Sequence, residues 1–268
     1  MKVVRKLDVE ADSTIEVVEV VGMELILKTC DVQDVAMETR FVELLAKHGI
    51  PHLELFQDTD LKPNQLLMEY APGSLTVGLH PTSEWYKKWG RVTRLMHNVS
   101  SSRGVEILPD GSEKDVTWHE YIERCLRECG DRHLKRVTLS AELVEKTSSI
   151  IRGWLYLHHD VDYRLIHGDL HANSAMIRGN EVVLFDKGST MLYGNRFYDL
   201  AVAVLDRYGG DDPDNLTNAF VEGYGASDIN ANLVELEHWL LMRCFERHPN
   251  RFEPHIEEVL NSLVSKYG

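Results

Sequence analysis

The segment Arg164–Asp186 constrains this chain more than any other stretch. Two short apolar runs, Ala175–Ile177 and Val182–Phe185, flank the pair Gly179-Asn180, which favours the tight turn of a β-hairpin. Asp169 precedes the first run and Asp186 follows the second, 17 residues apart. Two aspartates at opposite ends of one hairpin can converge on one cleft, so the fold must place a short hairpin inside whatever surrounds it.

On the N-terminal side the surroundings read as strands. Val3–Leu7, Thr14–Val20 and Glu24–Thr29 are rich in Val, Ile and Leu, with a hairpin-like break at Val21-Gly22-Met23. Between Asp34 and His48 the period changes, and Val35, Glu38, Val42 and Leu45 share one helical face that Gly49 and Pro51 terminate. Two further strand candidates follow, His52–Gln57 and Gln65–Tyr70. Ala71-Pro72-Gly73-Ser74 then breaks the chain. Beyond it the pattern is helical, over Ser83–Val99, Trp118–Cys129, Ala141–His159, Asn215–Tyr224, Asn230–His248 and Pro254–Tyr267, interrupted by the hairpin. The expected fold class is α+β and bilobal. It has a small β-rich N-terminal lobe with one helix over residues 1–70, a hinge at 71–74, and a larger, mainly helical lobe over 75–268.

Charge and composition narrow the function. The chain has 268 residues, 43% hydrophobic and 27% charged, with a net charge of −14. That is the balance of a folded chain rather than a disordered one. The sign disfavours nucleic-acid partners, because a negative field repels phosphate backbones. The excess is spread along the chain: residues 1–70 hold 14 acids against 7 bases, and the remainder 29 against 22. Both parts are acidic surfaces, which serve solubility or attract a cationic substrate. No apolar run approaches the roughly 20 residues needed to span a bilayer, so no membrane partner is expected. Met1–Asp12 lacks the apolar stretch of a secretory signal, and a cytosolic location is expected. Cys30, Cys125, Cys129 and Cys244 form no Cys-x-x-Cys pair and are expected to be reduced.

The block Leu165-Ile166-His167-Gly168-Asp169-Leu170-His171-Ala172-Asn173-Ser174, followed by Val182-Val183-Leu184-Phe185-Asp186-Lys187-Gly188, resembles the active-site loop of the aminoglycoside phosphotransferase and choline kinase superfamily and that family's metal-binding Asp. Three more elements fall in matching order. Glu24-Leu25-Ile26-Leu27-Lys28 is similar to the third strand of a kinase small lobe. Met37-Glu38-Thr39-Arg40, running on to Gly49-Ile50-Pro51, is similar to the Glu-bearing helix. Leu66–Leu75 resembles the adenine-binding hinge, and Phe197-Tyr198-Asp199-Leu200-Ala201 matches a family motif whose Asp braces the loop. The resemblance covers residues from about 10 to about 210 and leaves the last 60 without a motif.

A kinase of this family is therefore expected, using ATP and Mg²⁺ and acting on a small polar or cationic acceptor such as an aminoglycoside, another antibiotic, an amino alcohol or a sugar. Phosphoryl transfer needs a carboxylate to orient the acceptor hydroxyl and groups to hold Mg²⁺ on the phosphates. Asp169 takes the first role and Asp186 the second. Lys28, paired with Glu38, grips the phosphates; Met68, Glu69, Tyr70 and Ala71 hold the adenine; Ser13 offers a weaker phosphate contact. Carboxylates of the C-terminal region, among them Asp206, Asp211, Asp212, Glu235 and Glu237, are candidates for a cationic acceptor. The number of subunits is not legible.

Two positions depart from the family pattern. Where relatives carry a second metal ligand, an Asn five residues after the active-site Asp, this chain has Ser174, with Asn173 one place early; either is a candidate ligand. Lys187 follows the metal Asp where relatives carry an aromatic or aliphatic residue, and is read either as solvent-facing or as lying near the phosphates. These departures motivate the alternative of a nucleotide-binding pseudokinase with a regulatory role. A protein kinase is a third reading, disfavoured because no activation segment follows Asp186.

Overall fold

The computed structural model describes residues 2–9, 13–58, 60–70, 82–205, 215–248 and 255–268. The first strands form as their β-branched content requires: β1 (Lys2–Val9), β2 (Thr14–Val20) and β3 (Met23–Thr29). Helix α1 (Val32–Lys47) follows, then β4 (Leu55–Phe56) and β5 (Gln65–Glu69). The five strands make one antiparallel sheet in the order β1-β2-β3-β5-β4. Helix α1 buries Met37, Glu38, Phe41, Val42, Leu44 and Leu45, a wider stripe that includes Glu38, Val42 and Leu45 of the predicted face and leaves Val35 half-buried. The expected hinge at 71–74 lies outside the described residues.

The rest is mainly helical. After α2 (Ser83–His97) comes a small ribbon, β6 (Val105–Ile107) with β7 (Glu113–Asp115), then α3 (Trp118–Arg136) and α4 (Ala141–Leu157). Helix α3 starts on a capping box in which Thr117 and Glu120 satisfy each other's amides. Strand β8 (Tyr163–Leu165) leads to the hairpin of β9 (Ala175–Arg178) and β10 (Glu181–Leu184). Strand β11 (Tyr193–Asn195) returns to pair with β8. Helices α5 (Arg196–Ala203), α6 (Leu216–Tyr224), α7 (Ala226–Ala231), α8 (Leu233–Arg247) and α9 (Ile256–Tyr267) complete the described chain.

Two sequence expectations need correction, and two ribbons were absent from them. The single helix expected over Asn230–His248 starts a new axis at Asn232, with α7 before it. The β4 strand shrinks from six residues to Leu55–Phe56. The ribbons β6–β7 and β8–β11 were not legible, because three-residue strands carry too little periodicity to register.

The β9–β10 hairpin is as the turn chemistry predicts: Arg178 pairs with Glu181 across Gly179-Asn180, and Gly179 has a positive φ of 62°. It does not stand apart from the small lobe. Met176 and Val183 pack with Leu53, Leu66 and Met68 in one apolar cluster, and His52 bridges to Leu184. The hairpin thereby fixes the cleft floor to the sheet that carries Lys28.

Candidate active site

The loop from Ile166 to His171 connects β8 to a single tight turn at Ala172–Ser174. Its backbone amides are the first requirement, since buried N–H groups without partners are costly. Asp199, fully buried on α5, meets it: one carboxylate oxygen accepts the amide of His167 at 2.6 Å and the other that of Gly168 at 2.7 Å. His97 of α2 holds the same carboxylate through Nε2 at 3.1 Å, and its Nδ1 meets the Tyr224 hydroxyl at 3.0 Å. Burial would raise the Asp199 pKa, but the His97 hydrogen bond and neighbouring charge together hold it below its usual 3.8.

His167 is also fully buried. Its Nδ1 accepts the Asp169 amide at 3.3 Å, so Nε2 carries the proton and donates to the Phe185 carbonyl at 2.8 Å. Burial pushes its pKa down, consistent with this neutral tautomer. The loop is thus tied to the segment between β10 and Asp186.

Two glycines set the approach of these segments. A Cβ on Gly188 would lie 2.1 Å from Cβ of Asp169, and one on Gly168 would lie 1.9 Å from Cβ of Ser189. Asp169 and the chain just after Asp186 are therefore in contact, which brings the two aspartates into one neighbourhood. Asp186 itself has a positive φ of 61°, a conformation that Asp tolerates better than most residues.

Glu38 corrects an expectation. It does not pair directly with Lys28. Its two carboxylate oxygens accept the amides of Asp186 at 2.9 Å and Lys187 at 2.7 Å. The left-handed turn at Asp186 points two successive N–H groups the same way, and a buried carboxylate is their partner. Lys28 pairs instead with Asp186, Nζ to Oδ1 at 2.5 Å. Burial works against both charges, but the pairing lowers the Asp186 pKa and raises that of Lys28.

Lys187 takes neither of the positions expected for it. It is only 3% exposed. Its ammonium donates to the carbonyls of Ile166 at 3.0 Å, His167 at 3.2 Å and Met191 at 2.7 Å, using all three donors. The Phe41 ring lies 5.6 Å away, within cation–π range. Burial drives its pKa down to about 7.

Sequence reasoning missed the surroundings of Asp169. Arg243 Nη2 lies 3.1 Å from Asp169 Oδ1, Arg247 Nη1 bonds to the same oxygen, and His171 Nε2 stands 3.3 Å from Oδ2. Burial would raise this carboxyl's pKa; the His171 bond and the two guanidinium charges more than reverse that and hold it well below the carboxylate range. Arg243, itself buried, also bonds Glu246 at 2.6 Å and the Tyr198 hydroxyl at 2.5 Å. One signal was available. Arg243 interrupts the apolar run Trp239-Leu240-Leu241-Met242 before Cys244-Phe245, and Arg247 follows one helical turn later on the same face.

A family profile described as the phosphotransferase enzyme family matches residues 4–239. The chain belongs to that family. Among solved structures, this phosphotransferase is similar to a candidate fructosamine-3-kinase of Thermobifida fusca, with 16% identity and a TM-score of 0.70 over 97% of this chain and 91% of that one. It is similar to a spectinomycin phosphotransferase solved with ADP and spectinomycin, at 14% identity and a TM-score of 0.62 over 97% and 91%. Choline kinase LicA of Streptococcus pneumoniae matches at 12% identity and a TM-score of 0.63 over 100% and 94%. At these identities the likeness establishes the kinase fold. A search among curated proteins finds no matching sequence.

Other expected site residues are placed as follows in this phosphotransferase. Met68 and Glu69 lie on β5, with Met68 paired to Ile26 and Leu55, and Tyr70 follows, its hydroxyl bonded to Arg5. Ser13 immediately precedes β2. Ala71, Asp206, Asp211 and Asp212 lie outside the described residues. Glu235 accepts from Asn195 at 2.6 Å and Glu237 pairs with Lys266 at 2.5 Å, so these two carboxylates are engaged in helix packing. Among the described residues no helix is long and apolar enough to cross a membrane, and the cysteines are free thiols.

The fit to Mg²⁺ rests on oxygen donors. Among the described residues no group of three His, Cys, Asp or Glu side chains gathers into a preformed metal cage, and Mg²⁺ on a nucleotide needs none, since phosphates and water supply most of its ligands. The Asp186 side chain is 53% exposed and fits that role. Ser174 is buried, and its hydroxyl donates to the Asp169 carbonyl at 2.7 Å, leaving lone pairs that can still accept or coordinate. Asn173 is exposed.

Proposed function

We propose that this phosphotransferase moves the γ-phosphate of ATP to a hydroxyl group of a small polar molecule. The observation that supports this is the contact of Asp169 with the chain just after Asp186, with Lys28 beside Asp186 and Asp169 held on a loop whose amides Asp199 already satisfies. In this reading β5 and the residues after it, Met68, Glu69, Tyr70 and Ala71, form the adenine edge. Lys28 binds the phosphates, exchanging its contact with Asp186 for them, and Ser13, just before β2, offers them a weaker contact. Glu38 acts one step back, by fixing the backbone of Asp186.

Asp186, with Ser174 or Asn173, would hold Mg²⁺, which supplies neutralisation of phosphate charge when bound. Asp169 accepts a hydrogen bond from the acceptor hydroxyl and orients its lone pair toward phosphorus. As the new P–O bond forms and the bond to the ADP oxygen breaks, the hydroxyl proton passes to Asp169. A carboxyl with so low a pKa is a weak base, so orientation outweighs proton abstraction and the proton moves late. The burial of Lys187 removes one motive for a catalytically silent protein, because that cation serves the loop and leaves the metal position alone.

Calorimetry with ADP and Mg²⁺, followed by phosphate transfer from ATP to an acceptor panel, tests the proposal. Nucleotide binding that depends on Asp186 and turnover that depends on Asp169 are expected. Absence of nucleotide binding to the folded protein would end it.

A further inference from the structure

We infer that the acceptor of this phosphotransferase carries an anionic group, a carboxylate or phosphate, close to the hydroxyl that is phosphorylated, and that Arg243 and Arg247 of α8 are the residues that read it. The inference rests on the functional reading above and adds the substrate class.

Any hydroxyl that is to be phosphorylated must reach a carboxylate oxygen of Asp169. In this structure both guanidinium groups bond to Oδ1, while His171 stands against Oδ2. A hydroxyl bonded to Oδ1 lies within about 6 Å of the guanidinium nitrogens, two hydrogen bonds in series, and one bonded to Oδ2 is about 2 Å farther. The part of the acceptor next to its reacting hydroxyl therefore lies against two cations. A carboxylate or phosphate a few bonds away replaces Asp169 as their partner and frees an Asp169 lone pair for the hydroxyl. The exchange conserves charge-assisted hydrogen bonds, and a planar guanidinium suits both anions.

A cationic acceptor would meet the opposite situation. Asp169 and Glu246, the carboxylates that the structure places in this cluster among the described residues, are each already bonded to a guanidinium. An ammonium group would have to displace an arginine and remain beside it. A neutral polyol would leave the two guanidinium groups competing with its hydroxyl for Asp169. Arg243 has further capacity, since its buried Nε–H has no acceptor among the described residues. Glu246 and Tyr198 hold its other nitrogen in place, so its position does not depend on a ligand.

The matched set glycerate, glycerol and serinol provides the test, because the three differ chiefly in carrying a negative, a zero or a positive charge beside similar hydroxyls. Thermal shift is measured with ADP and Mg²⁺ present to fill the nucleotide site, and inorganic phosphate serves as a second anion probe. Glycerate or phosphate should raise the melting temperature, while glycerol and serinol do not. With ATP, the anionic member should turn over about tenfold faster than the other two. Arg247→Ala should raise the half-saturating anion concentration about tenfold, with Arg247→Lys between it and the wild type. Arg243 is too buried for its removal to be read cleanly, so Arg247 is the variant that decides. A shift or turnover with serinol while both anions are idle overturns the inference, as does anion stabilisation unchanged in Arg247→Ala, or no stabilisation by either anion. The ADP shift alone tests the functional reading: if it is absent, that reading fails, and if it is present without an anion response, only the acceptor assignment fails.

Discussion

The floor of the cleft and its α8 wall both place buried charges around Asp169, but they use them differently. On the floor, Asp199, Glu38 and Lys187 bond to backbone groups: four amides and three carbonyls of the loop and of the segment between β10 and β11. Those partners cannot move away without unfolding the loop. On the wall, Arg243 and Arg247 bond to side chains, Asp169 and Glu246, and a ligand of suitable charge can take the place of one partner. Buried charge on backbone fixes geometry, whereas charge on a functional side chain is exchangeable.

The most drastic way to separate the two is at Asp169, where they meet. Asp169→Asn should reduce phosphate transfer by about 10³-fold while ADP affinity stays within a few-fold, because in the proposed function the residue serves the acceptor. Near-wild-type turnover would remove it from the site.

The floor should answer to stability measurements. Asp199→Ala leaves two buried amides and His97 without their partner and should cost about 3 kcal/mol in urea unfolding. The carboxyl's folded pKa lies below its usual 3.8, so its contribution is complete above that value and drains away as pH falls through it toward the folded pKa. Asp199→Asn should therefore flatten the loss of stability below about pH 4. An unchanged pH slope would show that the loop is held by other means.

At the nucleotide end, Lys28→Ala should weaken ADP binding about tenfold, since the wild-type ammonium is available once phosphates replace Asp186. Calorimetry giving equal affinities would remove Lys28 from the phosphate site. Lys187→Met keeps the volume but removes three donors from buried carbonyls, and should cost about 2 kcal/mol in unfolding free energy without altering the Mg²⁺ requirement. A changed Mg²⁺ requirement would instead place the residue's effect at the phosphates.

The smallest effect is expected at Ser174. Ser174→Asn supplies an amide oxygen at the family's ligand position and should lower the Mg²⁺ concentration for half-maximal rate roughly threefold. A titration with no displacement would mean that this position does not face the metal.

The sequence by itself determined the strand-rich and helical regions and the β9–β10 hairpin, and it singled out Asp169, Asp186 and Lys28 as the proposed site residues. Those features rest on local signals: side-chain period, a Gly-Asn turn and a contiguous motif. The tertiary structure decided the partners. Lys28 meets Asp186 and Glu38 meets two amides because the left-handed turn at Asp186 creates a demand for an acceptor that no residue pattern reveals. Lys187 turns inward because three carbonyls, from segments up to 25 residues apart in sequence, converge on one point. Arg243 and Arg247 reach Asp169 from 74 and 78 residues away. Hydrogen-bond complementarity between distant segments is a property of how they pack, so a linear sequence records the donors and acceptors while only the fold assigns them to each other.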